Sequence, residues 1–310
     1  MTDLLEPVRA TGLLPGGQPV VVLLSGGRDS VCLLDCAVRL AGGGVSALHI
    51  DHGLRAAAAE DEEHCRALCD LLSVELVVER VRRPEGPGNL LAWAREARYA
   101  AARRVAAHRN ARVATGHTAS DQAETVLYRL AASPGRRALL GMTAREDGLV
   151  RPLLGVTRAQ TTAHCQARGL TWREDATNDD QAFARARVRG GLLPALTAIH
   201  PGAEINVVRT AALLREEAAV LDQLVAEVLA PRGDRIARDR LAGLPAALAR
   251  LVLRRLAEAT TGRLCPRVPG RLEEVMALRE GGALDLGEGA RATVRGGVLT
   301  VQHTPVRPSR

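Results

Sequence analysis

The hexapeptide Ser25–Ser30, with the sequence SGGRDS, has the composition of a phosphate-binding loop. It follows an apolar segment and opens a helical one. Its backbone N–H groups would therefore lie at a helix start, where the helix dipole favours an anion. Gly26 and Gly27 permit positive φ angles and a close approach of the backbone to a ligand. The hydroxyls of Ser25 and Ser30 can donate hydrogen bonds to phosphate oxygens.

Within this loop, Asp29 is the unexpected residue, because a carboxylate repels phosphate. It suits the site only if it caps the following helix or meets a Mg²⁺ ion. The fork of Arg28 suits bidentate phosphate contacts. An ordinary strand–turn–helix corner with a capping aspartate is the alternative, but six such residues in this context favour a nucleotide phosphate site.

Two carboxylates, Asp121 and Glu124, are three residues apart in a helical segment and so share one face. Beside a nucleotide, such a pair suits Mg²⁺ or an incoming ammonium group. His117 precedes them at a strand end and could contact phosphate or act as an acid or base. A solvated acidic face and a capping or core histidine are the alternatives.

His49 and Asp51 form a second polar pair at the end of a predicted strand. Residues two apart on a strand share a face, so both could point at the nucleotide. The spacing offers no third ligand, and zinc is not predicted.

Strands alternate with helices across the first part of the chain. Strands are predicted at 20–24, 45–50, 74–78 and 112–115, and helices over about 29–40, 60–72, 90–108 and 120–131. This alternation favours an α/β fold, in which a parallel sheet carries helices on both faces. Ligands of such sheets lie at the carboxyl ends of the strands, where the polar residues described above are found.

The sequence His200-Pro201-Gly202 marks the predicted boundary between a catalytic domain, residues 1–200, and a second, mostly helical domain, residues 201–310. The second domain is predicted to contain helices over 203–230, 239–260 and 268–280, followed by a small β hairpin over 284–302. It carries no motif of chemically active residues.

The composition limits the chemistry that is possible. The 310 residues carry a formal net charge of +7, and all 42 basic side chains are arginine. The absence of lysine excludes a Walker-type phosphate lysine and a Schiff-base mechanism. The basic balance suits a polyanion such as nucleic acid, but a high-arginine codon bias explains it equally well.

The six cysteines are too sparse for a disulfide framework. Cys32 and Cys36, and likewise Cys65 and Cys69, share a helix face, and we interpret them as small core residues rather than metal ligands. The sequence has neither a signal-peptide pattern nor a membrane-spanning apolar run, so the expected location is the cytoplasm.

The loop SGGRDS resembles the SGGxDS motif of the PP-loop ATP pyrophosphatases, which split ATP between its α- and β-phosphates. Further segments are similar to those of the tRNA(Ile)-lysidine synthetase family, in consistent order over roughly residues 20–195. They are HIDHGLR at 49–55, the region from Asn89 to Tyr99, GHTASDQAET at 116–125, RPLL at 151–154, EDATN at 174–178 and the stretch 183–189. The chain length resembles the family's shorter form.

The resemblance implies that ATP and Mg²⁺ are used to adenylate the C2 oxygen of the wobble cytidine in a tRNA(Ile) with a CAU anticodon. The amine of free L-lysine then displaces AMP. It implies ATP contacts for residues 25–30, His49 and Asp51. It also implies catalytic or lysine-binding roles for five residues, His117, Asp121, Glu124, Arg98 and Arg189, and Mg²⁺ binding by Asp29 or Asp121.

The resemblance further implies that the second domain contacts tRNA. The oligomeric state is left open, with a dimer among the alternatives. Three positions depart from the family pattern: Ser120 replaces an Asp, Ala186 a common Asn and Gly190 a frequent His. Two other functions remain as alternatives. A tRNA thiolase of the same superfamily would commonly need paired C-x-x-C cysteines, which are absent, and a non-catalytic nucleotide-binding regulator would not need the acidic pair.

Overall fold

A computed structural model describes residues 4–53, 58–82, 89–133, 135–174, 184–230 and 232–305 of the chain. The larger of its two sheets is built around β1 (Val20–Leu23), whose four residues are all buried. Val20 and Val22 pack with the apolar residues of one face of the sheet, and Val21 and Leu23 with those of the other. This arrangement explains why β1 is a continuous apolar run rather than an alternating one.

The larger sheet has six strands in the order β3-β2-β1-β4-β6-β5. All neighbours pair in parallel except β5, which is antiparallel to β6. The chain runs outward from β1 to β3 and then returns to place β4 on the other side of β1, so the strand order reverses between β1 and β4. Open α/β sheets bind ligands at such a reversal point. The remaining strands are β2 (Val45–Asp51), β3 (Glu75–Arg80), β4 (Arg112–Ala114), β5 (Arg145–Glu146) and β6 (Leu149–Val150).

Helices cover both faces of this sheet, as the alternating pattern predicted. Buried residues of α2, α3 and α7 belong to the core on one face, and buried residues of α4 to the core on the other. The helices of this region are α1 (Leu5–Ala10), α2 (Arg28–Ala41), α3 (Ala58–Leu72), α4 (Leu90–His108), α5 (Ala119–Ala132), α6 (Arg136–Leu139), α7 (Arg158–Ala167), α8 (Ala184–Arg187) and α9 (Leu193–Ile199). A π-helical turn, Val188–Leu192, joins α8 to α9.

The predicted α/β fold with a parallel sheet is confirmed, and the four predicted strands and the helices between them are present. The strands β5 and β6 were not predicted. Each has only two residues, which is too short to show a recognisable periodicity.

The chain divides into two units, 1–214 and 215–310. The predicted boundary at residue 200 thus lies fourteen residues before the observed one, which falls within helix α10 (Ala203–Leu229). The second unit contains an antiparallel sheet of order β7-β10-β9-β8. Its elements are β7 (Arg235–Ala237), α11 (Arg238–Ala242), α12 (Ala246–Thr261), α13 (Leu272–Met276), β8 (Ala283–Gly287), β9 (Ala290–Arg295) and β10 (Val298–His303).

Three predictions for this unit need correction. The helix predicted over 239–260 is two helices, because Pro245 has no N–H to donate and disfavours helical geometry in the residue before it. The helix predicted over 268–280 is a 3₁₀ turn followed by α13, which ends at Met276. The predicted hairpin, β9 with β10, is present but belongs to a four-stranded sheet, since β7 and β8 pair at its two edges.

All six cysteines are free and buried, and the predicted core positions of Cys32, Cys36, Cys65 and Cys69 are confirmed. Thiol hydrogen bonds and burial raise the pKa of Cys32. One ring nitrogen of His164 and the sulfurs of Cys32 and Cys36 lie within 4.8 Å of one another.

None of the helices in the described ranges combines the length and apolar character that crossing a bilayer requires.

Gly116, two residues after the end of β4, passes very close to the start of α2. A Cβ atom at Gly116 would lie 2.9 Å from the carbonyl carbon and oxygen of Asp29 and 3.0 Å from the nitrogen of Ser30. These are backbone atoms, which cannot swing aside as a flexible side chain can. The close approach of the predicted phosphate loop and the β4 exit therefore requires glycine at this position.

The substitution Gly116→Ala is expected to displace the phosphate loop. Overpacking of this kind costs about 1–3 kcal/mol, so nucleotide affinity should fall about tenfold or more and the thermal unfolding temperature should drop. Circular dichroism melting and titration with ATP measure both effects. Gly43→Ala is the matched control, because no atom lies within 4 Å of a Cβ there. Wild-type ATP affinity in Gly116→Ala would contradict this account.

Candidate active site

A cleft of about 610 Å³ opens at the carboxyl ends of β1, β2 and β4. All the site residues predicted from the sequence line it except Gly26 and Glu124. The predicted residues that line the cleft are Ser25, Gly27, Arg28, Asp29, Ser30, His49, Asp51, Arg98, His117, Asp121 and Arg189. The reversal of strand order brings the loop after β1 and the segment after β4 to the same place, which is why these distant parts of the sequence meet.

The loop after β1 has the geometry of an anion site. Gly26 adopts a φ of +81°, which only glycine adopts without strain. Gly27 is the N-cap of α2 and offers no side chain to satisfy the first N–H groups of the helix. The Ser30 hydroxyl donates to the Gly27 carbonyl at 2.7 Å and lies 3.2 Å from the Ser25 hydroxyl. The start of the helix is therefore available to a negatively charged ligand.

Asp29 does not cap α2, so one of its two predicted roles is wrong. Gly27 is the N-cap residue, and the Asp29 carboxylate makes contacts other than a helix cap. It accepts a 2.5 Å hydrogen bond from the Thr161 hydroxyl and a 3.2 Å hydrogen bond from Arg28 Nε. Its position in the first turn of α2 follows from the loop geometry, and the carboxylate faces the cleft.

The carboxylate of Asp121 both takes part in the cap of helix α5 and lines the cleft. Its Oδ2 accepts hydrogen bonds from the backbone N–H and the hydroxyl of Thr118, both at 2.8 Å, and completes a capping box at the start of α5. Its Oδ1 faces the cleft and lies 3.2 Å from a guanidinium nitrogen of Arg158. The cap fixes the carboxylate and directs one oxygen towards the ligand space.

Glu124 shares this helix face, as predicted, but lies deeper. It is 2% exposed, and Arg189 donates to both of its oxygens, at 2.7 Å and 3.0 Å. Arg158 adds a third contact at 3.2 Å. The two carboxylates are therefore not equivalent, because Asp121 lines the cleft whereas Glu124 is covered by arginines.

Arg158 was not predicted from the sequence, yet its guanidinium contacts three carboxylates. Besides Asp121 and Glu124, it lies 3.9 Å from Asp29. It occupies the first turn of α7, a helix fixed by a capping box between Thr157 and Gln160. In a chain with 42 arginines, no local pattern distinguishes this one.

His117 remains neutral at neutral pH. Burial lowers its pKa to about 4; the charge of Asp121 opposes this shift, and Arg151, Arg95 and Arg98 reinforce it. Its Nδ1 lies 2.8 Å from the hydroxyl of Thr115. A neutral imidazole in this cleft can accept a proton or a hydrogen bond.

The other wall of the cleft combines polar and apolar groups. His49 is buried, and its Nδ1 donates to the carbonyl of Leu24 at 3.0 Å. Asp51 accepts a 2.7 Å hydrogen bond from the Gly53 N–H. Both residues line the cleft, beside apolar side chains such as Ile50 that suit the flat face of a base.

Two arginines predicted to stabilise phosphate charge also line the cleft. Burial lowers the pKa of Arg98. Arg189 lies in the π-helical turn, a feature that is common at functional sites.

Residues 172–174 also line the cleft, although they were not among the predicted site residues. Arg173 donates its N–H to the Gly26 carbonyl at 3.0 Å, and its side chain pairs with Glu60 and Asp61 of α3. Trp172 both packs against the core and lines the cleft. The residues of the family-like segments at 54–55 and 175–183 lie outside the described residues.

The departure at Ser120 has a structural reason. Its hydroxyl donates to Glu204 at 2.5 Å and accepts the backbone N–H of Arg158 at 3.0 Å. An aspartate at this position would set two carboxylates against each other. Ala186 is buried, and Gly190 lies within the π-helical turn.

Comparisons with known proteins identify the family of this chain. A sequence model of the PP-loop domain matches residues 4–196. The chain is 40% identical over 296 residues to the tRNA(Ile)-lysidine synthase of Mycolicibacterium paratuberculosis, covering 92% of this chain and 91% of that protein. It is 40% identical over 316 residues to that of Salinispora arenicola, covering 94% and 93%. A 42% identical relative from Pseudomonas fluorescens is matched over only 47% of its own length.

Among solved structures, a U34-tRNA thiolase from Methanococcus maripaludis superimposes with a TM-score of 0.58 at 18% identity, covering 68% of this chain and 77% of that one. At this identity the likeness shows a shared fold alone.

The pKa of His117 predicts a pH-dependent loss of stability. In the unfolded chain the imidazole has a pKa of about 6.5, so between pH 6.5 and 4 the unfolded state binds a proton that the folded state does not. Stability should therefore fall by up to ~1.4 kcal/mol per pH unit in this window as the pH is lowered. In His117→Gln the fall should be shallower.

Urea unfolding of both proteins at pH 7, 6, 5 and 4 measures this difference. His303→Gln serves as the control, since His303 is an exposed residue of β10. Parallel stability curves for wild type and His117→Gln would show that His117 titrates normally in the folded protein.

Proposed function

Because the chain belongs to the tRNA(Ile)-lysidine synthase family, we propose that it joins free lysine to the wobble cytidine of a tRNA(Ile) with a CAU anticodon, cleaving ATP to AMP and pyrophosphate. One observation carries the proposal: a phosphate loop and the capped carboxylate of Asp121 face the same cleft. The first can hold the nucleotide, and the second can hold the amine that reacts with its product.

In the first reaction, the C2 oxygen of the cytidine attacks the α-phosphorus of ATP, and the bond to the β-phosphate oxygen breaks to release pyrophosphate. The N–H groups at the start of α2 and the hydroxyls of Ser25 and Ser30 would hold the phosphates. Arg28, Arg98 and Arg189 would stabilise the charge that develops on them. The carbonyl oxygen, a poor leaving group, becomes part of AMP, a good one.

In the second reaction, the ε-amine of lysine attacks C2, and AMP departs with the former carbonyl oxygen. A lysine amine is protonated at neutral pH, so it must be bound as ammonium and then lose a proton. Asp121 suits both tasks better than Glu124, because its Oδ1 faces the cleft and Glu124 is covered by Arg189. The neutral His117 is the second proton acceptor within the cleft.

The residues of the cleft fit a Mg²⁺ ion. Asp29 lines the cleft beside the loop proposed to hold the phosphates, and its carboxylate lies 3.9 Å from the guanidinium of Arg158. Carboxylate oxygens are the ligands that Mg²⁺ prefers, usually with phosphates completing its shell. Bound there, the ion would neutralise phosphate charge, and Asp29 would hold it, since the cleft-facing oxygen of Asp121 is assigned to the lysine amine.

The tRNA partner is supported by relatives that are tRNA(Ile)-lysidine synthases, and the net charge of +7 is compatible with phosphate contacts to tRNA. We assign part of this contact to residues 201–310. The thiolase alternative is less well supported, because the chain contains no C-x-x-C pair and the thiolase structure shares only the fold.

The substitution Asp121→Asn tests the second step. Asparagine keeps an oxygen for the helix cap but removes the negative charge from the cleft. The rate of lysine incorporation should fall roughly 10²–10⁴-fold, while tRNA affinity and thermal stability change little. Glu75→Gln is the control, because Glu75 pairs with Arg109 on the exposed surface. A near-normal rate in Asp121→Asn would restrict this residue to capping α5.

The reaction as a whole is tested with ATP, Mg²⁺, labelled free lysine and the CAU-anticodon tRNA. Label should enter the tRNA, and AMP should appear in equal amount. Because the protein has no lysine, the label cannot be confused with modification of a lysine side chain of the protein. Replacing the wobble cytidine with uridine should abolish incorporation. Unlabelled tRNA, or equal labelling of both tRNAs, would disprove the assignment even if ATP were cleaved.

A further inference from the structure

Three neighbouring carboxylates, two lining the cleft and one buried, are contacted by arginines. They belong to Asp29 and Asp121, which line the cleft, and to Glu124, which is buried. The arginines that contact them are Arg28 with Asp29, Arg189 with Glu124, and Arg158 with all three. The positions proposed for Mg²⁺ and for the lysine ammonium are thus already next to a cation of the protein.

Arg158 contacts each of the three carboxylates at one oxygen only. It lines the cleft with a side chain 25% exposed, and its contacts to the three carboxylates are single hydrogen bonds or longer, from 3.2 to 3.9 Å. Arg189, by contrast, holds the buried Glu124 at both oxygens. Movement of Arg158 would leave Glu124 paired and would expose the cleft-facing oxygen of Asp121.

Binding of ATP would favour movement of the Arg158 side chain from the carboxylates to the phosphates. Its phosphates would enter at the loop of residues 25–30, which lines the same cleft as Arg158. A guanidinium binds phosphate in a bidentate manner, and this is stronger than the single, partly exposed contacts it makes here. An ammonium that arrives before ATP meets a carboxylate already neutralised by a neighbouring positive charge.

We propose that Arg158 is a positioning residue that neutralises Asp121 until ATP binds and then transfers to the phosphates, so that lysine binds tightly only after ATP. The inference rests on the proposed function, since lysine and ATP are its substrates. In this proposal, Arg158 determines the order in which ATP and lysine bind.

The side chain of Arg158 can be changed without removing what holds its helix. The start of α7 is fixed by the capping box of Thr157 and Gln160. Farther along the helix, Thr161 donates to Asp29 and His164 pairs with Asp35. The variant Arg158→Gln is therefore expected to fold.

The experiment measures lysine affinity by equilibrium dialysis of labelled lysine in Mg²⁺, with and without α,β-methylene-ATP, whose α–β linkage cannot be cleaved. In the wild type the analogue should tighten lysine binding about tenfold or more, which is within the usual range of coupling between sites. In Arg158→Gln, lysine should bind without the analogue, and the ratio of the two affinities should fall below about threefold.

Arg104→Gln is the matched control and should keep the wild-type ratio, because Arg104 pairs with Glu79 on the exposed surface. If Arg158→Gln fails to fold by circular dichroism, Arg158→Lys takes its place. A single ammonium cannot span three carboxylates as a guanidinium does, so the ratio should again shrink.

Two results overturn the inference: equal lysine affinity with and without the analogue in the wild type, or an unchanged ratio in the Arg158 variant. Either result leaves the proposed function intact if the wild type still incorporates lysine into tRNA. Absence of lysine binding under every condition, together with no incorporation, overturns both.

Discussion

The site depends on the close contact between the exit of β4 and the first turn of α2. Gly116 leaves no room for a Cβ against the backbone of Asp29 and Ser30, and this contact sets the phosphate loop beside the segment that carries His117 and Asp121. The reversal of strand order between β1 and β4 makes the contact possible. Without it, the nucleotide-binding residues and the acid–base residues would belong to separate surfaces.

Charge balance is the second constraint on the cleft. The phosphates of a nucleotide require positive side chains, whereas an ammonium substrate requires negative ones. If these side chains all paired with one another, neither ligand would meet a net opposite charge. In the structure, the two carboxylates of α5 differ in their depth and in how their arginine partners cover them. Glu124 is buried beneath Arg189, while Asp121 keeps one oxygen in the cleft. Burial also keeps His117 uncharged, so it adds nothing to either side of this balance at neutral pH.

Much of the fold and many of the cleft residues could be predicted, since strands alternate with helices, β1 is a continuous apolar run and SGGRDS follows it. The spacing of Asp121 and Glu124 fixes the helix face they share, but it cannot tell which neighbour covers one of them. Arg158 and Arg173 could not be found, because their partners lie far away in the sequence and arginine is abundant. The helix-capping role considered for Asp29 was wrong, because Gly27 holds that position.

The helix cap at Asp121 has a stereochemical consequence. Two donors from Thr118 occupy Oδ2, so a proton taken from a substrate amine can be received only at Oδ1, and its delivery does not disturb the start of α5. The rotation of this carboxylate is already lost when α5 folds, and no further ordering is needed when the amine arrives. A free side chain on a loop would have to lose that freedom in every catalytic cycle. Folding of the helix thus prepares the base with a single reactive oxygen directed at the cleft.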